Sequence, residues 1–159
     1  MIRWFLDPIY KGAYPADLVE WYGDDLMPAI EAGDMAFIAA QKTDFLGINF
    51  YSRMRFAHDP DGGVLQVRVV PPDVPTEELS MMGWEVYPDG LLHTLLYLHS
   101  TYRPPAIYIT ENGAAYNDPA PSNGVVDDPD RVAYYRQHID AVAQAIDLGV
   151  PMAGYFAWS

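Results

Sequence analysis

The chain has 159 residues, half of them hydrophobic, a formal net charge of −13 at pH 7 and no cysteine. The apolar content suffices for one domain with a substantial core, and the lack of cysteine excludes both a disulfide framework and a thiolate metal site. So acidic a surface repels phosphate backbones and anionic lipid, which argues against nucleic-acid and membrane partners.

The opening "MIRWFLDP" has too short an apolar run for a secretory leader, and Asp7 interrupts it. No stretch approaches the roughly 20 apolar residues of a membrane span, so the expected location is cytoplasmic. Short helical signals follow: Pro15 and Asp17 precede "LVEWYG", and Pro28 precedes "AIEAGDMAFIAA". "DFLGINFY", residues 44–51, reads as a strand. "RMRFAH" and "VLQVRVV" flank "DPDGG", which is hairpin-turn chemistry.

A proline-rich connector, "PPDVPTEEL", leads to "MMGWEVYP". Asp89 is the expected N-cap of a helix in which Leu91, Leu92, Leu95, Leu96 and His99 form one stripe. Pro104 and Pro105 stop it, and a strand over 105–111 follows. Pro129 or Asp130 opens a second helix with Val132, Tyr135, Ile139, Val142 and Ile146 at helical spacing, and Gly149 ends it. The run over 151–158 is a third strand. Strands alternating with helices long enough to cross over predict an α/β fold with a parallel sheet.

Side chains alternate along a strand. Counting by twos groups Phe45, Gly47, Asn49 and Tyr51, then Ile107, Ile109 and Glu111, then Met152, Gly154, Phe156 and Trp158. A functional-looking group stands at each C-terminal tip, where parallel α/β structures carry their sites. A strand-end glutamate is commonly a solvated edge residue. Here Asn, Tyr, Glu and Trp coincide at three tips, and Trp84 joins them from a loop. A carboxylate ringed by amphipathic aromatics suits a sugar, whose C–H faces stack on rings while its hydroxyls need partners.

The segments "RWFLDPIYKGAYP", "DFLGINFYSR", "MGWEVYPDGL", "IYITENGAAY", "DRVAYYRQHIDAVAQAIDLGV" and "GYFAWS" together resemble glycoside hydrolase family 1, the β-glucosidases and their relatives. The resemblance implies a partial TIM (β/α)8 barrel, one partial domain over residues 1–159. Its strands near 44–51, 105–111 and 151–158 would be the sixth to eighth, with a hairpin inserted after the first of them. It implies Glu111 as the catalytic nucleophile and Tyr51 as the hydroxyl that hydrogen-bonds it. Asn49, Trp84 and Trp158 match substrate-binding residues. The implied substrate is a small β-glycoside or oligosaccharide, and the family needs no metal or organic cofactor.

The family's acid/base carboxylate lies in an asparagine–glutamate–proline motif, and this sequence contains no Asn-Glu pair. A complete barrel takes about 250 residues. The expectation is therefore an internal slice of a retaining β-glucosidase, cut at both ends and inactive by itself, with the acid/base residue outside it. The competing reading is a non-catalytic sugar-binding or assembly module on the same scaffold.

Overall fold

The computed structural model describes residues 2–158 and falls into two compact units that divide between Asp44 and Phe45. The first unit is helical, with α1 Ile2–Lys11, α2 Ala16–Leu26 and α3 Asp34–Ala40. The segment read above only as a failed leader is thus a helix, and it runs through Pro8. The Trp4 ring packs on Tyr14 and Tyr22 at centroid distances of 4.6 and 4.8 Å. Arg3 clasps both carboxylate oxygens of Asp17 at 2.9 and 2.7 Å. Pro28 does not open α3, which starts six residues later, after Gly33 turns the chain at φ 104°.

The second unit carries a three-stranded parallel sheet in the order β1-β4-β5, where β1 is Leu46–Asn49, β4 Ile107–Asn112 and β5 Met152–Ala157. Helix α4, Pro88–Tyr102, and helix α5, Pro129–Asp147, are the two crossovers. The antiparallel hairpin β2 Arg55–His58 with β3 Val67–Val70 follows β1, as "DPDGG" predicts.

Both crossover helices start on a proline, where the missing N–H costs no helical hydrogen bond. The α4 cap is Tyr87, not Asp89, which lies inside the first turn, while Asp128 caps α5 by accepting from the Arg131 N–H at 3.3 Å. The core stripe of α4 is Leu91, Leu95, Leu98 and Tyr102, so Leu98 and Tyr102 join it while Leu92, Leu96 and His99 are only half-buried. On α5 the buried residues are Tyr134, His138, Ala141, Val142 and Ala145, while Val132, Ile139 and Ile146 stand more than half exposed. Small alanines share the buried face with Val142, and the other β-branched residues, Val132, Ile139 and Ile146, are left on the adjacent one.

Counting by twos fails on β4 for a definite reason. Ile48 pairs with Ile109, but Asn49 pairs with Glu111, so Thr110 is an extra residue in the ladder. Such a bulge sets two residues against one. Phe45 touches Tyr108 edge to face at 5.2 Å, and a Cβ on Gly154 would lie 2.6 Å from the Tyr108 ring. Phe45, Tyr108 and Gly154 therefore share one face. Ile107 and Ile109 alternate with Tyr108 onto the opposite face, where both are fully buried. The bulge returns Glu111 to the Phe45 side, so it does not share a face with the two isoleucines. A second irregularity between Ile107 and Tyr108 adds Ala153 to β5 and likewise separates Met152 from Gly154.

Candidate active site

The C-terminal ends of β1 and β4 bring a carboxylate and a phenol together. Tyr51 lies two residues past the end of β1, and its hydroxyl donates to the Glu111 Oε2. Burial, then the hydrogen bond and negative charge of Glu111, push the Tyr51 phenol up to about 12. Tyr51 therefore stays a protonated donor throughout the neutral range. Across the bulge, the Thr110 hydroxyl donates to Asn49 Oδ1 at 2.7 Å, which fixes the Asn49 amide at the same strand ends.

Trp84 reaches this point from the loop before α4. Its ring lies 5.7 Å from the Tyr51 ring, tilted by 56°, and is 44% exposed. The loop is clamped in place. Arg53 grips both oxygens of Glu85 at 2.8 and 2.5 Å and stacks 3.8 Å over Tyr87, while the Ser52 hydroxyl donates to the Glu85 carbonyl at 2.9 Å. The Glu85 side chain is nearly fully buried. Its hydrogen bonds from Arg53 hold the carboxyl below the usual carboxylate range against the upward push of burial. The clamp joins the residues just after Tyr51 to the residue just after Trp84, so it sets the two rings against each other.

Beside these groups lies a cavity of about 590 Å³ bounded by Asn49, Tyr51, Arg53, Val69, Pro72 and Trp84. It is walled by rings and aliphatic side chains with few polar groups, and Glu111 stands outside its wall. Such a cavity takes an apolar or aromatic group next to the carboxylate rather than over it.

Behind Glu111, Asn112 is completely buried. Its Nδ2 donates to the Phe50 carbonyl at 2.7 Å and to the Tyr134 hydroxyl at 3.0 Å, and its Oδ1 accepts from the Tyr155 hydroxyl. Burial raises the phenols of both Tyr134 and Tyr155. Gly113 follows because no side chain fits: a Cβ there would sit 1.8 Å from the Trp158 carbonyl oxygen. Trp158 is tied in through its backbone, its N–H donating to the Asn112 carbonyl at 2.9 Å and its carbonyl accepting from the Tyr135 hydroxyl at 3.1 Å. Its ring is 57% exposed.

Of the five residues singled out from sequence, Asn49, Tyr51, Trp84 and Glu111 converge, and Trp158 closes the neighbouring strand. Sequence reasoning missed Asn112, Thr110 and the Arg53–Glu85 pair. The signal for the last was available: a glutamate following a tryptophan in "MGWEVY" and an arginine two residues past "NFY".

The model of Glycosyl hydrolase family 1 matches residues 1–159. A beta-glucosidase of Agrobacterium sp. (strain ATCC 21400) is 46% identical over 156 residues, 98% of this chain and 33% of that protein. A solved family 1 b-glucosidase from Thermotoga maritima superposes with a TM-score of 0.87 at 40% identity, covering 99% of this chain and 34% of that one. A Thermotoga maritima family 1 glycoside hydrolase complexed with a cyclophellitol analogue transition state mimic superposes at 0.86 with 41% identity, covering 99% and 34%. The chain thus spans about a third of the length of these relatives.

Proposed function

The chain belongs to glycosyl hydrolase family 1, and from that premise we propose that it is part of a retaining β-glucosidase in which Glu111 is the nucleophile. All 159 residues then belong to a single (β/α)8 domain, with β1, β4 and β5 as its sixth to eighth strands. The observation that carries the reading is the Glu111 carboxylate at the C-terminal tip of a parallel strand, accepting from the Tyr51 hydroxyl.

The chemistry follows from that contact. A Glu111 oxygen attacks the anomeric carbon as the bond to the aglycone oxygen breaks, and the departing oxygen takes a proton from a second carboxyl group roughly 5–5.5 Å away. Water then displaces Glu111, with that second group acting as base, and the configuration is retained. Tyr51 holds the attacking carboxylate in line, and a near-attack geometry of this kind is a large share of the rate. Asn49 offers its amide to sugar hydroxyls, and Trp158 gives the sugar a flat apolar surface. Trp84 and the adjoining cavity receive the aglycone.

The acid/base group lies outside these 159 residues, and general acid assistance is worth about 10²–10⁴-fold, so the isolated chain is inactive. The full enzyme acts on small β-glycosides in the cytoplasm, without nucleic-acid or membrane partners and without a cofactor.

The test is Glu111→Gly in the full-length enzyme. Hydrolysis of an aryl β-glucoside should cease, and added azide should restore turnover from the vacated side to give the α-glycosyl azide. Near-wild-type hydrolysis by the variant, or rescue yielding a β-configured product, would overturn the assignment.

A further inference from the structure

Asn112 makes bonds that no strand residue needs for pairing. It is completely buried, and each of its amide hydrogens has a separate acceptor, the Phe50 carbonyl at 2.7 Å and the Tyr134 hydroxyl at 3.0 Å. Its Oδ1 accepts from the Tyr155 hydroxyl. A primary amide has two donors and one acceptor oxygen, and here all three groups are used, on three different elements. The Tyr134 hydroxyl continues the chain by donating to the Tyr51 carbonyl at 3.4 Å.

The consequence lies in where these bonds end. Phe50 and Tyr51 form the segment that carries the phenol donating to Glu111, and Asn112 is the residue next to Glu111. The Phe50 N–H donates in turn to the Glu111 carbonyl at 2.9 Å. The donor segment and the acceptor residue are thus pinned together just past the bulge at Thr110, while the Ile48–Ile109 pairing holds the strand before it. A bulge leaves a residue unpaired and could relax by shifting the strand. Shifting this one would break the two Nδ2 bonds at once, because the buried amide would lose partners that water cannot replace.

We infer that Asn112 is a positioning residue for the reaction at Glu111: its amide locks the β4 bulge so that the Glu111 carboxylate faces the Tyr51 hydroxyl. The inference rests on the reading of Glu111 as nucleophile. Asn112 touches no substrate. It acts through Phe50, Tyr134 and Tyr155, and its replacement should slow the attack without weakening binding.

The experiment uses the full-length enzyme with an aryl β-glucoside and two variants. Asn112→Asp keeps the shape and removes both Nδ2 donors, and Tyr155→Phe removes only the hydroxyl that reaches Oδ1. A misplacement of about 1 Å can cost about 10²-fold in rate, so Asn112→Asp should lower kcat by about that factor with KM unchanged. Loss of a transition-state contact lowers kcat and kcat/KM together. Tyr155→Phe should lose about 2- to 10-fold, the net worth of one hydrogen bond, again with KM unchanged. Azide should rescue neither, because the carboxylate still occupies its place.

Wild-type kcat in Asn112→Asp, or a loss confined to KM, would overturn the inference. If Asn112→Asp does not fold, wild-type kcat in Tyr155→Phe would overturn it alone. Failure of the nucleophile assignment is separable. Glu111→Gly would then hydrolyse at a near-wild-type rate or give a β-configured rescue product, whatever the Asn112 variants do.

Discussion

The two faces of the β1-β4-β5 sheet are held by different forces. On one face Ile107 and Ile109 are fully buried, and α4 and α5 carry buried residues of their own. On the other, Phe45, Phe156 and Trp158 are each more than half exposed. The buried face is organised by area removed from water, about 1.5–3 kcal/mol for each large side chain. At the site end of the sheet, order comes from discrete polar contacts: Tyr51 to Glu111, Thr110 to Asn49 and Arg53 to Glu85. A functional site can be placed accurately without being dry, provided its polar groups are paired and anchored to a packed layer behind them. Asn112 is the joint between the two regimes, buried with the core yet adjacent to the site carboxylate.

The comparison is broken most severely on the buried face. Ile109→Ala in the full-length enzyme should destabilise it by about 2–5 kcal/mol, read as a fall in the urea midpoint. A change within experimental scatter would show that this face does not carry the fold.

A smaller and pH-dependent loss is expected from the site end. Arg53→Met keeps an aliphatic chain over Tyr87 but strands the nearly buried Glu85. Breaking a fully buried pair costs about 3–5 kcal/mol, and Arg53 is itself a third exposed, so the loss should fall short of that. Glu85 has its folded-state pKa lowered from 4.5, chiefly by its hydrogen bonds from Arg53. A depressed carboxyl stabilises the folded state above the unfolded value and ceases to do so as pH falls through the folded one. The gap between wild type and Arg53→Met should therefore be full at pH 7 and narrow on acidification below about 4.5. A gap of constant size across that range would remove the ion pair from the account.

Much of this architecture can be read without coordinates. Asp89 and Pro129 mark the starts of the two crossover helices to within two residues, the apolar runs mark all three parallel strands, and "DPDGG" marks the hairpin. Asn49, Tyr51, Trp84 and Glu111 stand out as strand-end or loop groups, and they do meet. What escapes is whatever depends on an insertion or on an unseen neighbour. An extra residue such as Thr110 leaves no mark in an alternating pattern, so the face of Ile107 and Ile109 comes out reversed relative to Glu111. The α5 stripe is displaced because alanine and histidine carry a weak apolar signal yet are buried at 138, 141 and 145, while Val132, Ile139 and Ile146 carry a strong one and stay exposed, and only Val142 falls on both. Helix α1 is hidden by Pro8, which ordinarily argues against a helix.

The most direct test of the central claim, that the bulged tip of β4 presents Glu111 as the attacking group, is covalent capture. The full-length enzyme would be incubated with an activated 2-deoxy-2-fluoro-β-glucoside, whose glycosyl-enzyme intermediate hydrolyses slowly, then digested and mapped by mass spectrometry. The account predicts one fluoroglucosyl group per chain, on the peptide containing "ITENG" and esterified to Glu111. Turnover with the label on another carboxylate, or with no covalent adduct and an inverted product, would contradict it.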